Sequence, residues 1–140
     1  MGEPRPIETE ATLDLLRLNG IEHVADCVID DLPQDITTPH GTITSIPSSV
    51  ETNDIVIHAP QHLPSEQFLK RCTDHFGRLY LGGADNARVM AISVHPYITG
   101  VPHRIKYLEA LLDHVICHDG VALMTASEIG DWYRAEMATK

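Results

Sequence analysis

Ile92-Ser93-Val94-His95-Pro96-Tyr97-Ile98-Thr99-Gly100-Val101-Pro102-His103-Arg104-Ile105, with Met124-Thr125-Ala126-Ser127-Glu128-Ile129-Gly130-Asp131-Trp132-Tyr133 further on, decides how this chain is read. An apolar strand runs into a histidine and a Pro/Gly loop, then come a helix, a second short strand and a last helix. In folds built from such alternating units, the residue at the C-terminal end of a strand lines the face where chemistry is placed. His95 stands at that position and is the first candidate for a site.

The same reading extends outward. Ala11 to Leu18 carries apolar residues at helical spacing and stops at Asn19-Gly20, a helix C-terminus signal. Ile21 to Ile29 reads as a strand ended by Asp30-Asp31-Leu32-Pro33, and Thr42 to Pro47 as a second. Asp54 to His58 reads as a short strand or an extended loop. Pro64 and Ser65 open a helix that runs to about Leu81 and is closed by Gly82-Gly83. Arg88 to Val94 is the strongest strand signal, and Arg104 to His118 an amphipathic helix. Val121 to Thr125 is a further strand, and Ser127 to Met137 a last helix, with Ser127 as N-cap and Glu128 in its first turn. Alternation of this kind predicts an α/β fold of about four mainly parallel strands. A chain of 140 residues falls short of the about 250 of a complete (β/α) barrel, so the expectation is a partial barrel over residues 1–140 as one domain. No internal repeat or low-complexity tract divides it.

Composition narrows the function. The formal net charge is −10 and the sequence pI about 5.2, with no basic cluster, which argues against nucleic-acid and anionic-membrane partners. No apolar run approaches the roughly 20 residues of a membrane span, and the first residues show no signal-peptide core, so a cytoplasmic location is expected. Cys27, Cys72 and Cys117, 45 residues apart each time, fit neither a disulfide framework nor a zinc motif and read as reduced, mostly buried thiols. Gly82-Gly83 lacks the pattern of a dinucleotide loop, and no cofactor is expected.

Several polar residues are candidates beside His95, each with a plainer reading. The plainer reading of His95 is a strand-end histidine bonded to a loop carbonyl. Arg104, in the helix after Gly100 and Pro102, suits a carboxylate or ureide, or pairs with a neighbouring Asp. Asp30 and Asp31 invite a paired-carboxylate reading, but adjacent residues on extended chain face opposite ways, so one lines a pocket while the other caps a turn. Glu51, Asn53 and Asp54 suit the fixing of a loop, since such side chains bond nearby backbone. His58 and His62 match His-x-x-x-His by spacing only, and Pro60 between them disfavours the helix that would bring them together, so no metal site is assigned. Trp132 and Tyr133 read as core and rim.

The His95 block, with His-Pro followed by Gly-x-Pro-x-Arg, resembles the C-terminal end of the polysaccharide deacetylase superfamily, in particular its allantoinase-like and imidase-like branch. Pro4-Arg5-Pro6 before a Leu-rich helix resembles the superfamily's Arg-x-Pro segment. Ile21 to Pro33 resembles a segment ending in Asp-Asp-x-Pro, and Ile46 to Asp54 resembles a segment ending in Asn-Asp. The resemblance implies the C-terminal half of a barrel hydrolase acting on amide, cyclic ureide or N-acetyl carbonyls. It implies His95 and Asp31 in catalysis, His95 as general acid or hydrogen-bond donor, and Arg5, Arg104, Asp30 and Asn53 in substrate binding. Metal-dependent members take ligands from a Phe-Asp-Asp turn and a His-x-x-x-His helix. No Phe-Asp-Asp occurs here, so the chain is expected to need a partner bearing the N-terminal half, or else to be an inactive remnant used for binding or self-association. The expected partners are thus a small-molecule substrate, that other half, and further copies of the chain as a homo-oligomer.

Overall fold

Asn19-Gly20 does stop a helix. In the computed structural model, which describes residues 9, 11–25, 27 and 29–139, α1 spans Thr12–Leu18. Gly20 then takes φ +84°, a conformation glycine adopts without a Cβ clash, and its N–H bonds the Arg17 carbonyl. The described residues form two compact units, Met1–Pro47 with Met124–Lys140, and Ser48–Leu123.

The first unit is built on β3 (Gly41–Ser45). It pairs in parallel with β1 (His23–Val24), His23 opposite Thr44, and antiparallel with β2 (Gln34–Thr38), Ile36 opposite Ile43, giving the order β1-β3-β2. The hairpin turn closes where the Thr38 hydroxyl donates to the Gly41 carbonyl at 2.7 Å and Gly41 sits at φ +115°. Val24, Ile43 and Ile46 are buried. Helix α5 (Ala126–Ala138) lies close to β1 through Gly130, where an added Cβ would stand 2.2 Å from the His23 ring.

In the second unit the expected amphipathic helices are present: α3 (Glu66–Gly82) and α4 (Ile105–Ile116), after the short α2 (Asp54–His58). Phe68, Cys72 and Phe76, four apart along one stripe of α3, pack with Ile57, Leu111 and Val115. Burying each large apolar side chain contributes about 1.5–3 kcal/mol, and this cluster is the unit's core. Burial pushes the Cys72 thiol up to about 12, so it is an inert core group. Cys72 is buried and Cys27 half-buried, whereas Cys117 is exposed, against the expectation of mostly buried thiols.

The strand expectations need correction. Among the described residues there are three strands, not about four, and only one of the two pairings is parallel. Within Ile21 to Ile29 the named strand is His23–Val24 alone. Arg88 to Val94 makes a single parallel bridge, Ser93 to Asn53. Its neighbour Thr52-Asn53 turns at once into α2, and the Thr52 hydroxyl, donating to the Ala91 carbonyl at 2.6 Å, takes the place of a ladder bond. Val121 to Thr125 forms no strand. Asp54 to His58 is helical, since five apolar-rich residues do not separate helix from strand by periodicity. The strand Gln34–Thr38 was unforeseen because Ile36 is its only aliphatic residue. No described helix is long and apolar enough to cross a membrane.

Candidate functional site around His95 and Asp54

Asn53 begins the site. Its Oδ1 accepts the Ile55 N–H at 3.0 Å, capping α2, while the Asp54 N–H donates to the Ser93 carbonyl at 3.0 Å. The cap and the bridge thus set the Asp54 carboxylate beside the end of the segment that carries His95. Asp54 is wholly buried and takes three donors. Its Oδ1 meets His95 Nδ1 at 2.6 Å, and its Oδ2 accepts the His95 backbone N–H at 2.8 Å and the Thr99 hydroxyl at 2.6 Å. Charge-assisted bonds of this kind offset the cost of taking a carboxylate out of water.

The loop that returns Thr99 to Asp54 is tight. The N–H groups of Ile98 and Thr99 both reach the His95 carbonyl at 2.9 Å. Gly100 is required, since a Cβ there would lie 2.4 Å from the Pro96 carbonyl oxygen. Arg104, at the start of α4, donates from Nη1 to the Ile98 carbonyl at 3.4 Å and from Nε to the Ser65 hydroxyl at 3.3 Å. Its guanidinium therefore braces the loop. The Tyr97 ring, 66% exposed, stands 5.5 Å from the His95 ring in an edge-to-face arrangement.

This geometry has a chemical consequence. A carboxylate accepts only, so Nδ1 carries the proton toward Asp54 and Nε2 is the basic nitrogen of the ring. The His95 side chain keeps 33% of its exposure while Asp54 keeps none. An imidazole held in one tautomer and orientation by a buried acid can take up a proton and return it, with the imidazolium stabilised by that acid.

The other candidates fall out as follows. Asn53, Asp54, His95 and Arg104 lie in the same unit, and all but Arg104 are joined by the contacts above. The sequence reads Asp54 as a loop-fixing residue, and its partnership with His95 is not visible there. The available signal was Asn-Asp ahead of an apolar helical turn. Asp30 and Asp31 belong to the other unit, where Asp30 Oδ1 accepts the Asp31 N–H at 2.7 Å, a local turn bond. Arg5 lies outside the described residues. Ser49 donates to Glu51 at 2.9 Å; the Glu51 backbone N–H first, and this hydroxyl second, hold that carboxyl below its ordinary value. His58 Nδ1 donates to the Leu63 carbonyl at 3.2 Å, and His62 lies outside any helix at φ +51°. Among the described residues no three His, Cys, Asp or Glu side chains come together as metal ligands. The metal that the superfamily's metal-dependent members hold therefore has no fitting ligand set among the described residues.

No protein-family model matches the chain. It is 31% identical over 93 residues to the "Putative polysaccharide deacetylase" of Schizosaccharomyces pombe, a match covering 65% of this chain and 29% of that protein. Among solved structures it is similar to a "probable Polysaccharide deacetylase" from Pseudomonas aeruginosa, with TM-score 0.81 and 28% identity over 89% of this chain and 43% of that one. The fold is also that of Puue Allantoinase, with TM-score 0.83 and 24% identity over 91% of this chain and 44% of that one. A "putative polysaccharide deacetylase" from Mycobacterium smegmatis shares the fold, with TM-score 0.81 at 18% identity, covering 94% of this chain and 47% of that one. The chain thus spans under half the length of each of these relatives.

Proposed function

We propose that this chain, a relative of the polysaccharide deacetylase superfamily over part of its relatives' length, supplies the proton-transfer side of a hydrolase site for amide, cyclic ureide or N-acetyl carbonyls. The supporting observation is the wholly buried Asp54 holding His95 through both ring and backbone. In such a site water adds to the carbonyl, and His95 Nε2 passes a proton to the departing nitrogen as the C–N bond breaks. Asp54 stabilises the imidazolium before that transfer. A positioned acid or base of this kind contributes about 10²–10⁴-fold. The residues that activate the water are taken to come from a further segment bearing the Phe-Asp-Asp and His-x-x-x-His motifs, within a partial (β/α) barrel that this chain helps to complete.

The test combines the chain with such a segment and follows amine release from an N-acetylated chito-oligosaccharide and ring opening of a hydantoin. Hydrolysis of one of them by the combination, and by neither part alone, is expected. His95→Ala should lower kcat by about 10²–10⁴-fold in a chain that still folds, with a lower melting temperature because Asp54 loses one of its three donors. Equal rates with and without the imidazole would sink the proposal. A second reading, a binding or self-association module without catalysis, draws support from the apolar residues Leu112 and Ile116 left exposed on α4.

A further inference from the structure

Thr99 is given no role of its own in the sequence reading, yet it is 2% exposed and its hydroxyl is aimed at the same carboxylate that holds His95. Asp54 thereby grips the loop at both ends: His95 at its start through ring and backbone, and Thr99 at its close. The two Asp54 oxygens divide this work. Oδ1 faces His95 Nδ1 at 2.6 Å, and Oδ2 takes the Thr99 hydroxyl at 2.6 Å with the His95 N–H at 2.8 Å.

We infer that Thr99 is a positioning residue for His95, its hydroxyl fixing the Asp54 carboxylate in the one orientation that presents Oδ1 to the imidazole Nδ1. This inference rests on the reading of His95 as the proton-transfer residue. A carboxylate turns about its Cβ–Cγ bond, a broad, two-fold torsion that rotamer wells do not restrain. With the His95 N–H as sole donor to Oδ2, that oxygen has one tether; the Thr99 hydroxyl supplies a second from the opposite end of the loop. The loop is built to deliver it. Gly100 passes so close to the Pro96 carbonyl that no side chain fits, and the Arg104 guanidinium holds the Ile98 carbonyl next to Thr99. A larger residue at 100 or a slack loop would draw the hydroxyl away from Oδ2.

The inference is tested on the full chain by ¹⁵N-edited NMR of the His95 Nδ1 proton, assigned by its loss in His95→Gln. In the natural chain a low-field resonance, slowly exchanging with water, is expected. Thr99→Val, which keeps the volume and removes the hydroxyl, should speed that exchange roughly tenfold or more, the scale set by losing one hydrogen bond to a charged acceptor. Thr99→Ser should restore it. Thr99→Ala gives a second variant without the hydroxyl should the valine fail to fold. An unchanged resonance and exchange rate in a folded valine or alanine variant would overturn the inference, as would absence of the resonance in the natural chain. Failure of both hydroxyl-free variants to fold would make Thr99 a structural residue only and overturn it as well. The readout needs no turnover. A protein that hydrolyses nothing but loses its Nδ1 signal in Thr99→Val refutes the proposed function and keeps the positioning role; hydrolysis with an insensitive signal does the reverse.

Discussion

His95 and Asp54 are 41 residues apart, and their pairing shows what a sequence hides at the scale of single residues. His95 is legible because it ends an apolar run at a Pro/Gly loop. Asp54 is not, since nothing local distinguishes a carboxylate that fixes a turn from one aimed across the fold at a histidine. Two substitutions separate its roles. In Asp54→Asn the amide oxygen can still accept the His95 N–H and the Thr99 hydroxyl, which turns the amide NH₂ toward Nδ1 and drives the ring proton to Nε2. A rate loss of about 10²–10⁴-fold with a modest fall in melting temperature is expected in the assembled hydrolase. Asp54→Ala leaves three buried or half-buried donors without an acceptor and should cost about 3 kcal/mol or more in urea unfolding. Full activity in Asp54→Asn would show that the carboxylate does no more than hold the loop.

Helices and strands differ sharply in legibility. α3 and α4 each bury one continuous stripe, and a stripe with period 3.6 is visible in the chain itself. The strands depend on pairing: β2 holds because β3 lies beside it, whereas Arg88 to Val94, richer in apolar residues, meets a neighbour that turns into helix after one bridge. The last helix lies between these cases. It begins one residue before the expected Ser127, and Thr125 is its cap: Glu128 N–H donates to the Thr125 hydroxyl at 3.3 Å, and Glu128 Oε2 accepts the Thr125 N–H at 2.7 Å. That backbone N–H first, and the Thr125 hydroxyl second, hold the Glu128 carboxyl below its ordinary value of 4.5. A carboxyl lowered by folding stabilises the fold above its unfolded value, and the contribution is lost as the pH falls through the folded one. The gap in melting temperature between the natural chain and Glu128→Ala should therefore be widest near neutrality and close as the pH drops below 4.5. Thr125→Ala should cost about 1 kcal/mol at neutral pH. A gap that persists undiminished into acid would mean that the cap does not rely on the ionised carboxylate.

At the scale of the whole molecule, the α/β class follows from alternation and survives, while the number and direction of strands do not. The alternation records local preference, but a sheet is completed by whatever lies beside it, and this chain matches under half the length of its solved relatives. On α4, Leu111 and Val115 face the core while Leu112 stays 40% and Ile116 57% exposed. Each alone is ordinary for a soluble surface, but together they add a second apolar stripe to a helix that needs one. Self-association through this stripe is the expected outcome, opposed by the charge of −10 that every copy carries. Because salt screens like-charge repulsion over about 10 Å at 0.1 M while leaving apolar burial intact, the association should strengthen as ionic strength rises. Light scattering across a dilution series should show a mass above 15.5 kDa that falls toward it on dilution, and Ile116→Lys should lower it without loss of helicity. A mass that stays at 15.5 kDa at every concentration and salt level would rule out self-association and leave the stripe an exposed surface with no role in assembly.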